Sequence, residues 1–503
     1  MLGERRSGPW LGWRLPRPAL RQILWRLLPS PLARALGYVD ADAAIPKPHA
    51  TSWLNGLRGI SALIVVNMHI TEATYGLSED GKLHLVQLPL VRLLLAGHFM
   101  VSIFFVVSGY ALSLGPLELA HSGRSGEELA SRLGSSSFRR IPRLFLPVIP
   151  VLAATMVPRR LGAWYPFAAS RAPSPAAPSW AGLVASAGAE FISMVHGLDP
   201  SALVSMSQSW TLAAECASSF VVFSACLALR RASCRNRAAC VALLAAWLGY
   251  VKEWQTCMFL CGMVIADTGI ARRRRRRAEE GVAAAAASAV DNGAAPLLLP
   301  GHDEEKALPP STSADGGGSG GGGGGPRRLA AAPAATTTRL ETAGWSAVLL
   351  LALLLGGWPL APNAFDAAPY SWPVRLLGLP GPLVVRYILA AGSVLLVAAL
   401  DRLPAAARRP LDSRPALYLG EISYGLYLCH MLAARTSLSI GLRVELERRW
   451  GGAHGTWGRL AAWAVVMFGV ALPGALWLGD LHWRFVDKKC VRFSRWLAER
   501  VGV

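Results

Sequence analysis

Apolar residues fall in long blocks along this chain, and polar residues collect between the blocks. Ten stretches, approximately 57–75, 89–114, 141–158, 208–229, 238–254, 255–271, 343–361, 383–400, 416–438 and 460–480, are largely uncharged. Each has roughly the 17 to 25 residues that a helix needs to cross about 30 Å of hydrocarbon. A soluble core needs no such blocks. The pattern predicts an all-α integral membrane protein, a bundle of about ten transmembrane helices with a long disordered cytosolic insertion. The third block contains Pro142, Pro147 and Pro150, which neighbouring helices can accommodate as a kink. The fifth and sixth are separated by Val251 to Trp254 alone and read as a tight helical hairpin.

Between and before these blocks the chain changes character. Residues 1–50 form a basic N-terminal arm, in which Leu20, Ile23, Leu24, Leu27 and Leu28 make an apolar stripe flanked by Arg17, Arg21 and Arg26. Such a stripe suits a helix lying on membrane lipid. A mitochondrial presequence shares the Arg-rich, acid-poor composition, but the bracketing prolines at 16, 18, 29 and 31 favour a short surface helix. Residues 51–271 then hold the first six spans, and residues 343–503 hold the last four with a basic tail. The linker 272–342 opens with six arginines, Arg272 to Arg277, and has nine glycines in the ten positions from Gly316 to Gly325. It has too little apolar surface to fold and reads as disordered. Its arginine run is either a topology anchor or a contact for anionic lipid.

Composition agrees, with 53% apolar residues, 16% charged ones and a mean hydropathy of +0.36. The net charge of +20 raises nucleic acid as a partner, but the distribution of charge excludes it. With ten spans and both termini cytosolic, the cytosolic segments hold 37 Lys or Arg and the opposite segments 9. That alternation is the positive-inside pattern. Six of the eight cysteines fall in the expected spans, so no disulfide framework is implied. Cys257 and Cys261 are one helical turn apart without a His or carboxylate at ligand spacing, and no metal site is expected.

Ionisable residues inside membrane helices are costly and are functional candidates for that reason. Arg58 lies at the cytosolic mouth of the first span, and His69 follows eleven residues later, about 16 Å along the axis and on a similar face. A neutral imidazole there can accept a proton from a hydroxyl. Glu215, just after Trp210 in the fourth span, can orient that imidazole, hold a substrate or tie two helices. His430 is placed for substrate contact or for helix pairing. Arg139, Arg140 and Arg143 are either topology anchors or forks for a polyphosphate. Ser108 belongs to a Ser-Gly pair of the kind that allows close helix packing.

Five segments, in this order, resemble the acyltransferase 3 family of membrane O-acyltransferases from Trp53 to about Trp496. They are Leu54-Asn55-Gly56-Leu57-Arg58-Gly59-Ile60 with His69, Phe104 to Tyr110, Phe138 to Arg143, Ser209 to Glu215, and Leu419 to His430. Asn55 stands where the family usually has Asp, Ser102 where an Asp is common, and Asp487 where a Glu is frequent. The resemblance implies an enzyme with no bound cofactor that moves an acyl group, commonly acetyl, from acyl-CoA to a hydroxyl of a carbohydrate, lipid or small metabolite. Joined to the residue reading, it assigns catalysis to His69, Glu215 and Arg58, and substrate binding to Arg139, Arg140, Arg143, Trp210 and His430. A proton-coupled transporter or lipid-binding membrane protein using the same His and Glu is the alternative.

Overall fold

A computed structural model describes residues 25–38, 45, 48–71, 88–123, 126–166, 172–197, 200–291, 334–358, 371–378, 380–450 and 456–503. The described residues are helical, with one isolated antiparallel bridge between Trp164 and Thr436. Sixteen helices position the site. They are α1 Ser30–Ala35, α2 Ser52–Thr71, α3 Gly97–Ser122, α4 Gly126–Phe145, α5 Val148–Arg160, α6 Trp180–His196, α7 Thr211–Ala228 and α8 Cys234–Tyr250. Then come α9 Trp254–Asp291, α10 Ala334–Gly356, α11 Gly381–Arg402, α12 Arg414–Ala434, α13 Leu442–Arg449, α14 Thr456–Val466, α15 Leu472–His482 and α16 Lys488–Val501.

Seven helical stretches among the described residues are long and apolar enough to cross a membrane: Gly97–Ser122, Gly126–Arg160, Ser207–Ala228, Trp254–Ala285, Arg339–Gly356, Gly381–Arg402 and Trp457–Val501. The first, fifth and ninth expected spans are helical but fall outside that set. Helix α8 has 17 residues. Helices α2 and α12, of 20 and 21 residues, carry the polar side chains Asn55, Arg58, His69, Glu421 and His430, which lower their apolarity. On α8, Leu243 and Trp247 are exposed.

Close backbone contact sets the register of the inner helices. A Cβ on Gly420 of α12 would lie 2.3 Å from the Asn55 carbonyl oxygen of α2, and one on Gly59 would lie 2.3 Å from the Gly420 nitrogen. Only glycine permits that approach. The contact brings Asn55 Nδ2 within 2.9 Å of Glu421 Oε1 and holds His69 beside His430 further along the same pair. Helices α3 and α9 meet similarly, since a Cβ on Gly109 would lie 1.9 Å from the Phe259 carbonyl oxygen. The largest apolar core lies around this crossing, with Phe99, Phe105, Tyr110 and Phe259 fully buried.

The boundary expected at residue 271 is carried through by helix, because α9 runs on to Asp291, and α10 starts at Ala334. Residues 292–333, with the glycine run, lie outside the described residues, as do residues 1–24 with most of the basic arm's apolar stripe. The arginine run has more than an anchoring role. Arg272 Nη2 and Arg273 Nη1 reach the buried Asp401 carboxylate of α11 at 2.8 and 3.2 Å, and Tyr110 donates to it at 2.9 Å. The end of the apolar stripe and the start of α1 are docked as well. Arg484 donates to the carbonyls of Arg26 and Leu28 at 2.8 and 2.9 Å, Trp477 Nε1 to that of Leu27 at 2.6 Å, and Ser30 N to Asp480 Oδ2 at 3.2 Å.

Candidate functional site

Helix α2 carries Arg58 near one end of the bundle and His69 toward the other, and both side chains line internal space. At the His69 end a cavity of about 430 Å³ lies between α2, α3, α7, α9 and α11, lined by His69, Ser102, Gln208, Trp210, Trp254 and Tyr427 among others. Trp210 and Trp254 form one wall, with ring centroids 6.1 Å apart. His430 sits behind His69, the two rings stacked at 5.2 Å. His430 Nδ1 lies 2.7 Å from the Tyr427 carbonyl oxygen. A carbonyl accepts and cannot donate, so Nδ1 carries the proton and Nε2 is left as an acceptor. That Nε2 is buried without a hydrogen-bond partner among the described residues.

Tyr427 forms the threshold of the cavity. Its hydroxyl donates to the Gln208 carbonyl oxygen and receives the Thr211 hydroxyl at 2.6 Å, while Gln208 Nε2 donates to the Leu428 carbonyl at 3.2 Å. Both ring and neighbours are therefore fixed in place. The turn leading into this segment is held from α6 by Glu190, which accepts the backbone N–H of Ser205 and Met206 at 2.9 and 2.8 Å. Burial pushes the Glu190 carboxyl up from its ordinary value, against those hydrogen bonds.

Beyond Tyr427 the space narrows to a neck of about 60 Å³ between Arg58, Phe104, Ser108, Thr211, Glu215 and Tyr424. The neck opens into a vestibule of about 350 Å³ containing three arginines, Arg58, Arg140 and Arg143, and three carboxylates, Glu215, Glu421 and Asp487. Adjoining segments share lining residues: Arg58, Ser108 and Glu215 join vestibule to neck, and Thr211 and Tyr427 join neck to far cavity. Three adjoining cavities with shared wall residues thus lie in a row from the arginine-rich end to His69.

The structure brings Arg58, Arg140, Arg143 and Glu215 together at the vestibule and places His69, Trp210 and His430 at the far end of the row. Arg139 lies further outside, with Nε donating to the Ser135 carbonyl at 3.1 Å. Glu215 meets Arg140, Oε1 to Nη2 at 2.7 Å, and not an imidazole. Asn55, in place of the family's usual Asp, gives Glu421 a donor where an aspartate would set two carboxylates together. Tyr427, Tyr424, Gln208, Trp254 and Glu421 line these cavities without having been singled out from sequence, and Asp487, noted there only as a departure from the family's Glu, lines the vestibule. Tyr424, Tyr427 and Glu421 lie inside the motif ending at His430, and that was their available signal.

One further group among the described residues has metal-ligand atoms close together, those of His121, Cys234 and Asp267, all within 4.8 Å of one another. A cation already serves it. Arg237 Nε and Nη2 grip both Asp267 oxygens at 2.8 and 2.6 Å, and His121 Nε2 lies 2.7 Å from Oδ1. This is an ion-paired tie between α3, α8 and α9.

The acyltransferase 3 family, described as an acyltransferase domain, matches residues 51–479. O-acetyltransferase PaAT-1 of Phomopsis amygdali is 37% identical over 246 residues, covering 44% of this chain and 49% of that protein, so the alignment spans about half of the relative's length. No solved structure matches the chain. With its apolar helices and with a family match over most of its length, the chain belongs to the acyltransferase 3 family and is a multi-pass membrane protein.

Proposed function

We propose that the protein is an O-acyltransferase that moves an acetyl group from acetyl-CoA to the hydroxyl of an acceptor held in the His69 cavity. The carrying observation is the row of three adjoining cavities from the arginine-rich vestibule through the neck to His69. Arg139, Arg140 and Arg143 face the phosphates of the donor, and the neck passes an extended pantetheine arm while stopping a nucleotide ring. In the reaction the acceptor oxygen attacks the thioester carbonyl as His69 takes its proton. The C–S bond breaks, the ester C–O bond forms, and the proton leaves with the thiolate as the CoA thiol.

Glu215, paired with Arg140, fixes the guanidinium at the mouth of the neck and acts on the donor side. Arg58, about 16 Å from His69 by helical rise, belongs to that side too. His430 is a positioning residue, setting the His69 ring by stacking. In the reading with ten crossings, α2, α8 and α12 complete the seven apolar spans, and the vestibule, both termini and residues 292–333 face the cytosol. The family membership and the 37% identical O-acetyltransferase support the reaction class.

The test is incubation of the purified protein with labelled acetyl-CoA and a panel of sugars and sterol-like alcohols, following both free CoA thiol and labelled ester. Stoichiometric thiol and ester support the reading. Neither product from any acceptor, with a pH-dependent flux in proteoliposomes instead, would favour the transporter.

A further inference from the structure

Outside the vestibule lies a second compartment whose charge is not balanced. A cavity of about 220 Å³ between α3, α4 and α16 is lined by Arg132, Arg139, Arg140, Arg143 and Arg495 with Ser136 and Ser494, and by no carboxylate among the described residues. The vestibule, in contrast, sets three carboxylates against its three arginines. Arg140 is the member whose ion pair reaches out of the compartment, to Glu215, and its Nε is buried without a hydrogen-bond partner among the described residues. Arg132 and Arg495 are exposed at the outer side. Glu215 and Asp487 offset Arg140 and Arg143 from the vestibule side, which leaves Arg132, Arg139 and Arg495 facing a hollow that no carboxylate among the described residues lines, an arrangement that a bound anion stabilises.

Two amphipathic helices build this hollow. Helix α4 buries Leu129 and Leu133 and brings four arginines to the hollow, and α16 packs against it, burying Ser494 and Ala498. Arg495 stands on the C-terminal helix, beyond the residues 51–479 that the family match covers.

We infer that this compartment binds the phosphates of the donor's adenosine 3′,5′-bisphosphate end, with Arg132 and Arg495 holding the ribose 3′-phosphate. The inference rests on the acyl-CoA reading above and orders the donor along the row of cavities. Arg140 and Arg143 are shared between compartment and vestibule. They therefore face the diphosphate, which is bonded directly to the pantetheine arm. The 3′-phosphate, on the far side of the ribose, reaches the outer arginines. Guanidinium forks bind phosphate oxygens in pairs.

The test compares acetyl-CoA with acetyl-dephospho-CoA, which lacks only the 3′-phosphate, in the wild-type protein, Arg132→Gln and Arg495→Gln. The wild type prefers acetyl-CoA by about tenfold in KM, the ratio that one charge-assisted hydrogen bond supplies, and either substitution collapses the preference. A rise in KM of equal size for both donors, or a preserved preference, overturns the assignment. Titration of adenosine 3′,5′-bisphosphate against adenosine 5′-monophosphate, without turnover, separates this inference from the donor reading. Arginine-dependent discrimination between them without CoA thiol release leaves the phosphate site standing and removes acetyl-CoA as donor. Turnover of acetyl-CoA with no discrimination removes the 3′-phosphate site alone. Both titrations run in phosphatidylcholine discs and in discs containing phosphatidic acid. Arginine-dependent binding to phosphatidic acid with no nucleotide binding in either disc assigns the hollow to a lipid headgroup and overturns the inference.

Discussion

His69 and His430 lie face to face, ring centroids 5.2 Å apart and planes inclined by 26°, yet His69 alone of the two lines the far cavity. In the proposed reaction His69 meets the acceptor and His430 holds the His69 ring. His69→Gln lowers turnover by about 10² to 10⁴, the usual contribution of a general base. His430→Gln lowers it less. The pH profile separates the two roles, because a neutral imidazole base loses activity as pH falls and its proton fills. The acid-side fall persists in His430→Gln and disappears from the residual rate of His69→Gln. Retention of most of the turnover by His69→Gln would move the base elsewhere.

The Arg140–Glu215 contact predicts a donor-side phenotype. Arg140→Lys keeps the positive charge but loses the planar fork, so KM for acetyl-CoA rises while KM for the acceptor stays within error. Glu215→Gln leaves the guanidinium without its partner at 2.7 Å and raises the same constant. Steady-state kinetics with each substrate varied in turn checks both, and a change confined to acceptor KM would contradict the assignment.

Gly420→Ala tests the crossing of α2 and α12. The added methyl would lie 2.3 Å from the Asn55 carbonyl oxygen, backbone that cannot swing aside, and overpacking of this kind costs about 1–3 kcal/mol. Thermal unfolding in detergent reports it as a lower midpoint. Gly188→Ala, inside α6 where a Cβ meets nothing within 4 Å, is the control and leaves the midpoint in place or raises it, since alanine favours helix over glycine by up to about 1 kcal/mol.

The His121–Arg237–Asp267 tie is predicted to be structural. Asp267→Asn removes one partner of a buried pair and costs about 3–5 kcal/mol, because the Arg237 guanidinium remains buried. Yield and melting midpoint fall, while the KM values of protein that does fold are those of the wild type. Zinc or chelator should leave the midpoint unchanged, and a rise with zinc would mean a metal replaces the guanidinium.

Orientation is tested by tags at positions 10, 300, 500 and 175. The first three are expected to be protected from outside labelling and the last accessible. Labelling of the tag at 300 from outside would overturn the orientation.

The helices were legible because hydropathy is read one element at a time, and the candidate residues because charge is costly in hydrocarbon. Pairings were not. That Glu215 meets Arg140, 75 positions away in sequence, depends on the rotation of α4 against α7, which no single-helix pattern encodes. The first two arginines of the run illustrate the same limit. Their density reads as a disordered charged tract, whereas a single buried acceptor, Asp401 of α11, draws them into helix. The hollow between α4 and α16 was invisible for a third reason, since its walls come from segments about 350 residues apart in the chain and cavity shape is a property of packing alone.

The docking of residues 26–30 onto Trp477, Asp480 and Arg484 sets a timetable for biogenesis. These contacts join positions 450 or more residues apart, so the earliest described stretch of the chain to leave the ribosome waits through the synthesis of every span before its receptor exists. The clasp cannot be complete until Arg484 has been made. A product stopped before Trp477 carries the unclasped stretch and none of these three partners for it, a difference in exposed surface between an unfinished chain and a finished one.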